Sequence, residues 1–375
     1  MKNILFFIES LSGGGAEKVL VTILNHIDNT KFHITLLTLV DTGILKDEID
    51  FSKIEYRTII KQSNNPIKKL WNKIKYKLIY QYLPSNFVHK WIIPQRRIDT
   101  YIAFTEGYCT KILAHNKKKK IAWVHIDLKA LPWTINEQIY SNIEEEKATY
   151  LKYNNVVCVS NSVKKIMQQE YNLNNVTTIY NPIDVDYIIK LSNDVNNHVI
   201  SEGFNIISVG RLTYQKGYDL LIPIISKLIK QGLDIHLYLL GDGSEKESLK
   251  QIIKKENIEN NIHLLGYLKN PYPLMKNMDL FVCSSRSEGY SLVIAEALTL
   301  ELPVISMNCS GPNELLANNK YGILCNNYET LEKELVKIYT NQDYLTDLKN
   351  KASKGNVRFN IDYTMLNIES LLTNL

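Results

Sequence analysis

Short apolar, β-branched runs alternate with stretches of helical periodicity along most of the chain. The first run, Ile4-Leu5-Phe6-Phe7-Ile8, gives way abruptly to Glu9-Ser10, which is the length and ending of a buried strand. In the first half the pattern predicts strands over 3–8, 33–40, 100–104, 120–124 and 156–159. Helices are predicted over 16–27 and 162–170, the second with Asn161 or Ser162 as its cap. In the second half strands are predicted over 204–209, 234–240, 261–265, 279–283 and 303–306, and helices over 217–231, 244–255 and 291–299. Strands separated by helices of this length are βαβ units around parallel sheets, so the fold class is α/β.

Periodicity lapses at Tyr180-Asn181-Pro182-Ile183-Asp184 and, after a short apolar stretch, over the polar residues 192–197, as in a hinge. The chain is thus expected to divide into a domain at 1–185 and a second at 186–355. The tail, 356–375, ends in a helical pattern over about 362–374 that can cross back onto the first domain. A length of 375 residues suits two domains better than one.

Composition narrows the class. With 45% hydrophobic and 22% charged residues the chain is neither disordered nor collagen-like. The cysteines, Cys109, Cys158, Cys283, Cys309 and Cys325, are scattered and form no CxxC pair. That usage fits a reducing compartment and argues against a disulfide framework or a zinc site. No run approaches the roughly 18–20 apolar residues of a spanning helix, and the first strand is too short for a signal-peptide core. The expected location is therefore cytoplasmic. A net charge of +5 with no nucleic-acid motif predicts no nucleic-acid partner.

Four loops carry candidate chemistry. Gly13-Gly14-Gly15-Ala16-Glu17 follows the first strand and opens a helix, whose free N–H groups suit an anion. It lacks the third glycine of a dinucleotide fingerprint, so a plain strand-to-helix turn with no ligand stays as the lesser alternative. In Val209-Gly210-Arg211-Leu212-Thr213-Tyr214-Gln215-Lys216-Gly217 two cations bracket a loop after a strand and can neutralise a diphosphate. Leu240-Gly241-Asp242-Gly243 is a tight turn at another strand's end, where open α/β sheets bind ligands. Last, Ser284-Ser285-Arg286-Ser287-Glu288-Gly289-Tyr290-Ser291-Leu292 leads from the strand at 279–283 into a helix. Glu288 lies in the loop, Gly289 permits close approach, Ser291 is the expected cap, and Glu296 sits about one turn inside. Taken singly, each glutamate is better read as a solvated carboxylate.

The ordered set resembles the retaining glycosyltransferases of family 4, whose EX7E motif matches Glu288 and Glu296 in EGYSLVIAEA. GGGAEK, VGRLTYQKG, LGDGSEKESL, HLLGYL and LPVI accompany it in order and spacing, covering residues 200–325 and the first 25. The resemblance implies a GT-B fold, two Rossmann-like domains facing a cleft, with the donor on the second domain and the acceptor on the first. It implies transfer of a sugar from a nucleotide-sugar donor, expected to be a UDP-sugar, to a glycan or lipid-linked acceptor with retention of configuration. By position, Arg211 and Lys216 would hold the donor diphosphate and Glu288 the donor-sugar hydroxyls. Glu296 would accept from the ribose hydroxyls, and the amides around Gly289, Tyr290, Ser291 and Leu292 would complete the pocket. Gly14, Gly15 and Gly241 would line the donor side, and His125, after the strand at 120–124, would stand near the reacting sugar. Family habit points to capsule or O-antigen synthesis. A nucleotide-sugar 2-epimerase of the same fold and an inactive partner subunit remain as alternatives.

The resemblance falls silent between about 45 and 120, where acceptor recognition is expected. Asp184-Val185-Asp186 imitates a DxD metal motif but lies in the hinge, so no cofactor and no metal are expected. Within 66–80, Ile67, Leu70, Trp71, Ile74 and Leu78 share one helical face while Lys68, Lys69, Lys73, Lys75 and Lys77 cover others. Such a helix either packs on its own domain or lies peripherally on an anionic membrane, with Lys117–Lys120 adding to the same patch.

Overall fold

The computed structural model describes residues 1–94, 97–195 and 198–375. They form two compact units, Met1–Pro182 with Asp362–Leu375, and Ile183–Ile361.

The first unit is built on seven strands: β1 (Lys2–Ile8), β2 (Phe32–Val40), β3 (Glu55–Ile60), β4 (Thr100–Ala103), β5 (Lys119–Val124), β6 (Asn155–Cys158) and β7 (Val176–Thr178). They lie in the order β3-β2-β1-β4-β5-β6-β7, and every pairing is parallel. Helices cover both faces of such a sheet, which is why its central strands read as unbroken apolar runs. Ile4 through Ile8 are all buried. The helices that matter below are α1 (Gly15–His26), α2 (Pro66–Lys77), α3 (Ser85–Ile92) and α4 (Tyr108–Leu113). The C-terminal helix Ile361–Asn374 belongs to this unit. Glu369 accepts from the Asp28 amide at 3.0 Å and pairs with Lys31 at 3.0 Å, while the Lys2 ammonium donates to the carbonyl of Leu372 at 3.2 Å.

The second unit holds β8 (Phe204–Val209), β9 (Ile235–Leu240), β10 (Ile262–Gly266), β11 (Leu280–Cys283), β12 (Val304–Met307) and β13 (Ile323–Cys325). Their order is β10-β9-β8-β11-β12-β13, again parallel throughout. In each unit the order reverses once, between β1 and β4 and between β8 and β11. The carboxyl ends of those strand pairs are the topological switch points where sheets of this kind bind ligands.

Several local expectations change. The helix Asn161–Gln169 is capped by Ser160, whose hydroxyl accepts from the Val163 amide at 3.2 Å; the cap lies one residue earlier than expected. The apolar stretch after Pro182 is a helix, Val185–Ser192, and Asp184 caps it by accepting from the Tyr187 amide at 2.9 Å. The rest of the expected hinge includes Asn196 and Asn197, which lie outside the described residues. Lys120 is buried and donates to the Asn116 carbonyl, so it joins no surface patch.

Candidate donor site at the switch point of the second unit

Two loops meet where the second sheet reverses, one leaving β8 and one leaving β11. The first carries Arg211 and ends in a single helical turn, Tyr214–Lys216. Gly217 closes that turn at φ 68°, and a Cβ there would collide with the Ser284 carbonyl and the Tyr328 hydroxyl. Only glycine combines that left-handed backbone with that approach. The Ser284 hydroxyl donates to the Lys216 carbonyl at 2.8 Å, which fixes one loop to the other.

The second loop is clamped at its start. Arg286 forks onto Asp219 at 2.8 and 2.7 Å, donates to the Tyr214 carbonyl at 2.6 Å and lies 3.9 Å from the Tyr214 ring centroid. Gln215 and Arg286 add hydrogen bonds between the loops, to the carbonyl of Ser287 at 2.8 Å and from the Arg286 amide to the Gln215 carbonyl at 2.8 Å. Gly311 donates its amide to the Glu288 carbonyl at 3.1 Å and packs so tightly on the Tyr290 backbone that a Cβ would sit about 2.5–2.7 Å from it.

These constraints bring Lys216 and Glu288 into a 2.6 Å ion pair, with the Ser285 hydroxyl donating to the same carboxylate oxygen at 2.7 Å. Burial works to discharge Lys216, but the Glu288 carboxylate outweighs it and raises the ammonium above its ordinary range. Arg211, in contrast, is exposed and has no side-chain partner among the described residues. The site therefore offers one fixed cation, one free guanidinium and one oriented carboxylate.

Glu288, Gly289, Tyr290 and Ser291 are all buried, and Leu292 begins the helix Leu292–Thr299. Ser291 does not cap that helix. It stands at φ 70°, its hydroxyl makes no cap bond, and its Oγ is buried without a partner among the described residues, as is that of Ser287. The glycine-like backbone, not side-chain capping, is what this position requires, and neither hydroxyl is engaged by a protein partner among the described residues. Glu296 is buried and accepts from the Tyr272 hydroxyl at 3.1 Å. Gly241 lies against the Gly210 carbonyl and donates to the Gly266 carbonyl at 2.7 Å, which brings the β9 loop to the same edge.

In the first unit, Gly14 is the N-cap of α1 and Gly15 its first residue. A Cβ on Gly14 would collide with the Glu17 carboxylate, which folds back over the helix start as a capping box does. The anion at this N-terminus is thus a side chain of the protein. His125 follows β5. Its Nε2 faces the Phe104 carbonyl at 2.8 Å, so that nitrogen carries the proton. Burial lowers its pKa to about 3 against that hydrogen bond, leaving a neutral ring with Nδ1 as an acceptor. Glu106, buried after β4, accepts from the amides of His125 and Ile126, the latter at 3.0 Å. Burial pushes its carboxyl up to about 7 although those amides oppose the shift.

The sequence did not single out Ser285, Gly217, Gly311, Arg286 or Glu106 as parts of a site. Gly217 carried a signal, a glycine directly after a helical turn; the others are partners only through contacts far along the chain.

Residues 192–355 match the model of "Glycosyl transferases group 1" and residues 13–187 that of "Glycosyltransferase Family 4". A glycosyltransferase of Methanocaldococcus jannaschii is 33% identical over 72% of this chain and 68% of its own length. The 4-alpha-N-acetylgalactosaminyltransferase of Campylobacter jejuni that is named for a diphospho-undecaprenol substrate is 28% identical over 86% of each chain. Anabaena HepE, solved with UDP and glucose, superposes with a TM-score of 0.76 at 20% identity over the whole of both chains. With two parallel-sheet Rossmann-like domains of the GT-B type and both halves matched, the chain belongs to glycosyltransferase family 4 and is a glycosyltransferase.

Proposed function

We propose that this enzyme transfers a sugar from a UDP-sugar to a glycan or lipid-linked acceptor, with retention of configuration, in assembly of a bacterial surface polysaccharide. The observation that carries the reading is the Lys216–Glu288–Ser285 cluster at the β8/β11 switch point, with Arg211 unpaired beside it. A diphosphate approaching that edge meets Arg211, which can fork onto phosphate oxygens, and Lys216, whose charge is secured by Glu288. Charge that grows on the leaving diphosphate is stabilised by cations already in place, which is where preorganised electrostatics lowers a barrier. Glu288 keeps a second oxygen for donor-sugar hydroxyls, and in this reading the loop amides from Gly289 to Leu292 complete the donor pocket. Because Arg211 and Lys216 supply the positive charge, this reading requires no metal ion.

Support for the donor comes from the UDP held by Anabaena HepE, and support for a lipid-linked acceptor from the name of the Campylobacter relative. The exposed helix α2 supports a peripheral position on the inner face of the cell membrane. Among the described residues no helix is long and apolar enough to cross one. The test is transfer from a panel of UDP-sugars to short polyprenyl-linked and free glycan acceptors, with product anomers read by NMR. Lys216→Ala and Glu288→Ala are each expected to lower transfer on the order of 100-fold or more. Transfer unchanged in both variants, or a β-linked product from an α-linked donor, overturns the reading.

A further inference from the structure

The amino end of β5 carries a buried corner of nitrogen donors, opposite the carboxyl edge at which sheets of this kind bind substrates. Lys120, Asn116 and His89 meet there and are 7%, 3% and 6% exposed. They come from β5, from the turn before it and from α3. The Lys120 ammonium donates to the Asn116 carbonyl at 2.5 Å, and among the described residues no carboxylate pairs with it. An ammonium has three N–H groups, and a lysine is seldom buried without an anion beside it. The Asn116 side chain is fixed through its Oδ1, which accepts from the Lys118 amide at 2.8 Å. Its Nδ2 is buried and makes no hydrogen bond of normal geometry, the neighbouring Tyr101 phenol included. That phenol donates to the Pro94 carbonyl at 2.7 Å. The buried Nε2 of His89 likewise has no partner among the described residues. Its ring centroid lies 6.4 Å from that of His115, whose own Nε2 is engaged by the Ser85 hydroxyl at 2.8 Å.

The charges that act on this corner are of one sign. Burial lowers the His89 pKa to about 4, and the charges of His115, Lys120 and Lys90 add to the shift. Burial also lowers His115, with Lys152, Lys111 and Lys120 adding to it, and lowers Lys120, with Lys152 adding. Of these lysines, Lys111 is answered by Glu145 at 2.7 Å, while Lys90 and Lys152 are exposed to solvent. Asp99, just before β4, is taken up by the Asn3 amide at 2.9 Å and the Asn3 side chain at 3.2 Å. At pH 7 both rings are therefore neutral, and Lys120 leaves one positive charge uncompensated. A buried charge is costly unless it is paired and hydrogen-bonded. Water can satisfy the free N–H groups but leaves the charge. A small monovalent anion does both.

We propose that this corner binds a small monovalent anion of the chloride class, held by the Lys120 ammonium, the Asn116 Nδ2 and the His89 Nε2–H. The anion ties α3 to β5 and takes no part in the transfer chemistry at the other edge. The experiment uses the full chain with sodium chloride as the probe. Sodium gluconate, whose anion is too large for such a corner, replaces it at constant ionic strength. Chloride should raise the wild-type Tm saturably above its gluconate value, by roughly 3 °C at a tenfold excess over Kd. Lys120→Met removes the charge and should remove this rise. Asn116→Asp keeps an oxygen for the Lys118 amide and sets a carboxylate beside Lys120. It should melt at least as high as wild type in gluconate and gain nothing from chloride, so that lost folding cannot be the reason. In chloride-35 NMR the wild-type protein should broaden the chloride line and both variants should leave it narrow. A wild-type Tm indifferent to chloride means that water alone fills the corner and overturns the proposal. A chloride response that survives in either variant, or equal line widths with all three proteins, overturns it too.

Discussion

Lys216 and Glu288 stand 72 residues apart in the chain and 2.6 Å apart in the fold. Their side chains are only 17% and 9% exposed, so neither charge is well solvated. Removing one partner leaves the other buried and unpaired, which typically costs about 3–5 kcal/mol. We expect Glu288→Ala to lower Tm as well as activity. A Lys216→Met/Glu288→Leu double variant should regain most of the stability and none of the transfer, since an apolar pair can replace a buried ion pair without loss. Thermal melts of the single and double variants check this. Equal melting temperatures for wild type and Glu288→Ala would show that the pair holds nothing.

Ser291 places a non-glycine residue at φ 70° with a buried, unpartnered hydroxyl. The left-handed backbone costs about 1–2 kcal/mol for an L-residue, against which glycine loses about 0.5–1 kcal/mol of chain entropy. Relief of the orphaned hydroxyl adds to the gain. Ser291→Gly should therefore stabilise the protein by about 1 kcal/mol, seen as a rise of roughly 2–4 °C in Tm. If the hydroxyl serves a donor, UDP-sugar affinity falls in the same variant. A lower Tm would mean that the serine makes a contact the fold does not reveal.

How much of this was legible in the sequence follows from where each element sits. Central strands such as Ile4–Ile8 and Leu280–Cys283 are buried on both faces and read as continuous apolar runs. The strands that sequence reading missed, Glu55–Ile60, Val176–Thr178 and Ile323–Cys325, are sheet edges. One is half-solvated and the other two are three residues long, so neither alternation nor an apolar run marks them. The site divides the same way. Glycines and charges clustered at strand ends announced Arg211, Lys216 and Glu288. Ser285, Arg286 with Asp219, and Gly311 act through contacts that only the folded chain creates. Ser291 was legible as a helix cap but not as a strained residue, because capping explains serine at that position until the backbone is seen.

His125 is neutral in the folded chain, its pKa held at about 3, whereas an unfolded histidine titrates near 6.5. Between these values the unfolded state binds more protons, so the contribution of His125 is complete above about pH 6.5 and is lost as pH falls toward 3. Glu106 acts in the opposite sense. Its folded carboxyl is raised to about 7, so its contribution is complete below about 4.5 and is lost as pH rises to 7. His125→Gln should flatten the acid limb of the stability curve and leave the limb between pH 4.5 and 7 to Glu106 and Glu9, both of which burial raises to about 7. Tm measured from pH 4 to 8 in both proteins decides it. An acid limb of unchanged steepness in His125→Gln would mean that other groups cause the loss. The transfer rate should likewise show no inflection at pH 6–7 attributable to imidazole, since no proton moves on that ring in this range.

The helix α2 has no buried residue, and Ile67, Leu70 and Trp71 are 68%, 60% and 66% exposed. Asn65 caps it, accepting from the amides of Ile67 and Lys68, and Pro66 opens it. It is tied to the edge strand β3 through polar groups: Lys75 donates to the Ile59 carbonyl at 2.7 Å and Asn72 to the Lys61 carbonyl at 2.5 Å. An isolated helix of this length is marginal in water without a packed face, so its apolar side calls for a partner. The lysines that flank that side match an anionic bilayer, where each adds about 1 kcal/mol near the surface. Leu70→Ser and Trp71→Ser are expected to change folding stability by no more than about 0.5 kcal/mol, because both side chains leave solvent for nothing in the protein. The same variants should lose most cosedimentation with vesicles of phosphatidylglycerol and phosphatidylcholine. Wild-type binding should weaken as salt rises from 0.1 to 1 M, where screening shortens from about 10 to 3 Å. Lys75 is left intact in these variants because its bond to β3 belongs to the fold. A marked drop in Tm for Trp71→Ser, or vesicle binding equal to wild type, would mean that α2 does not meet a membrane through this face.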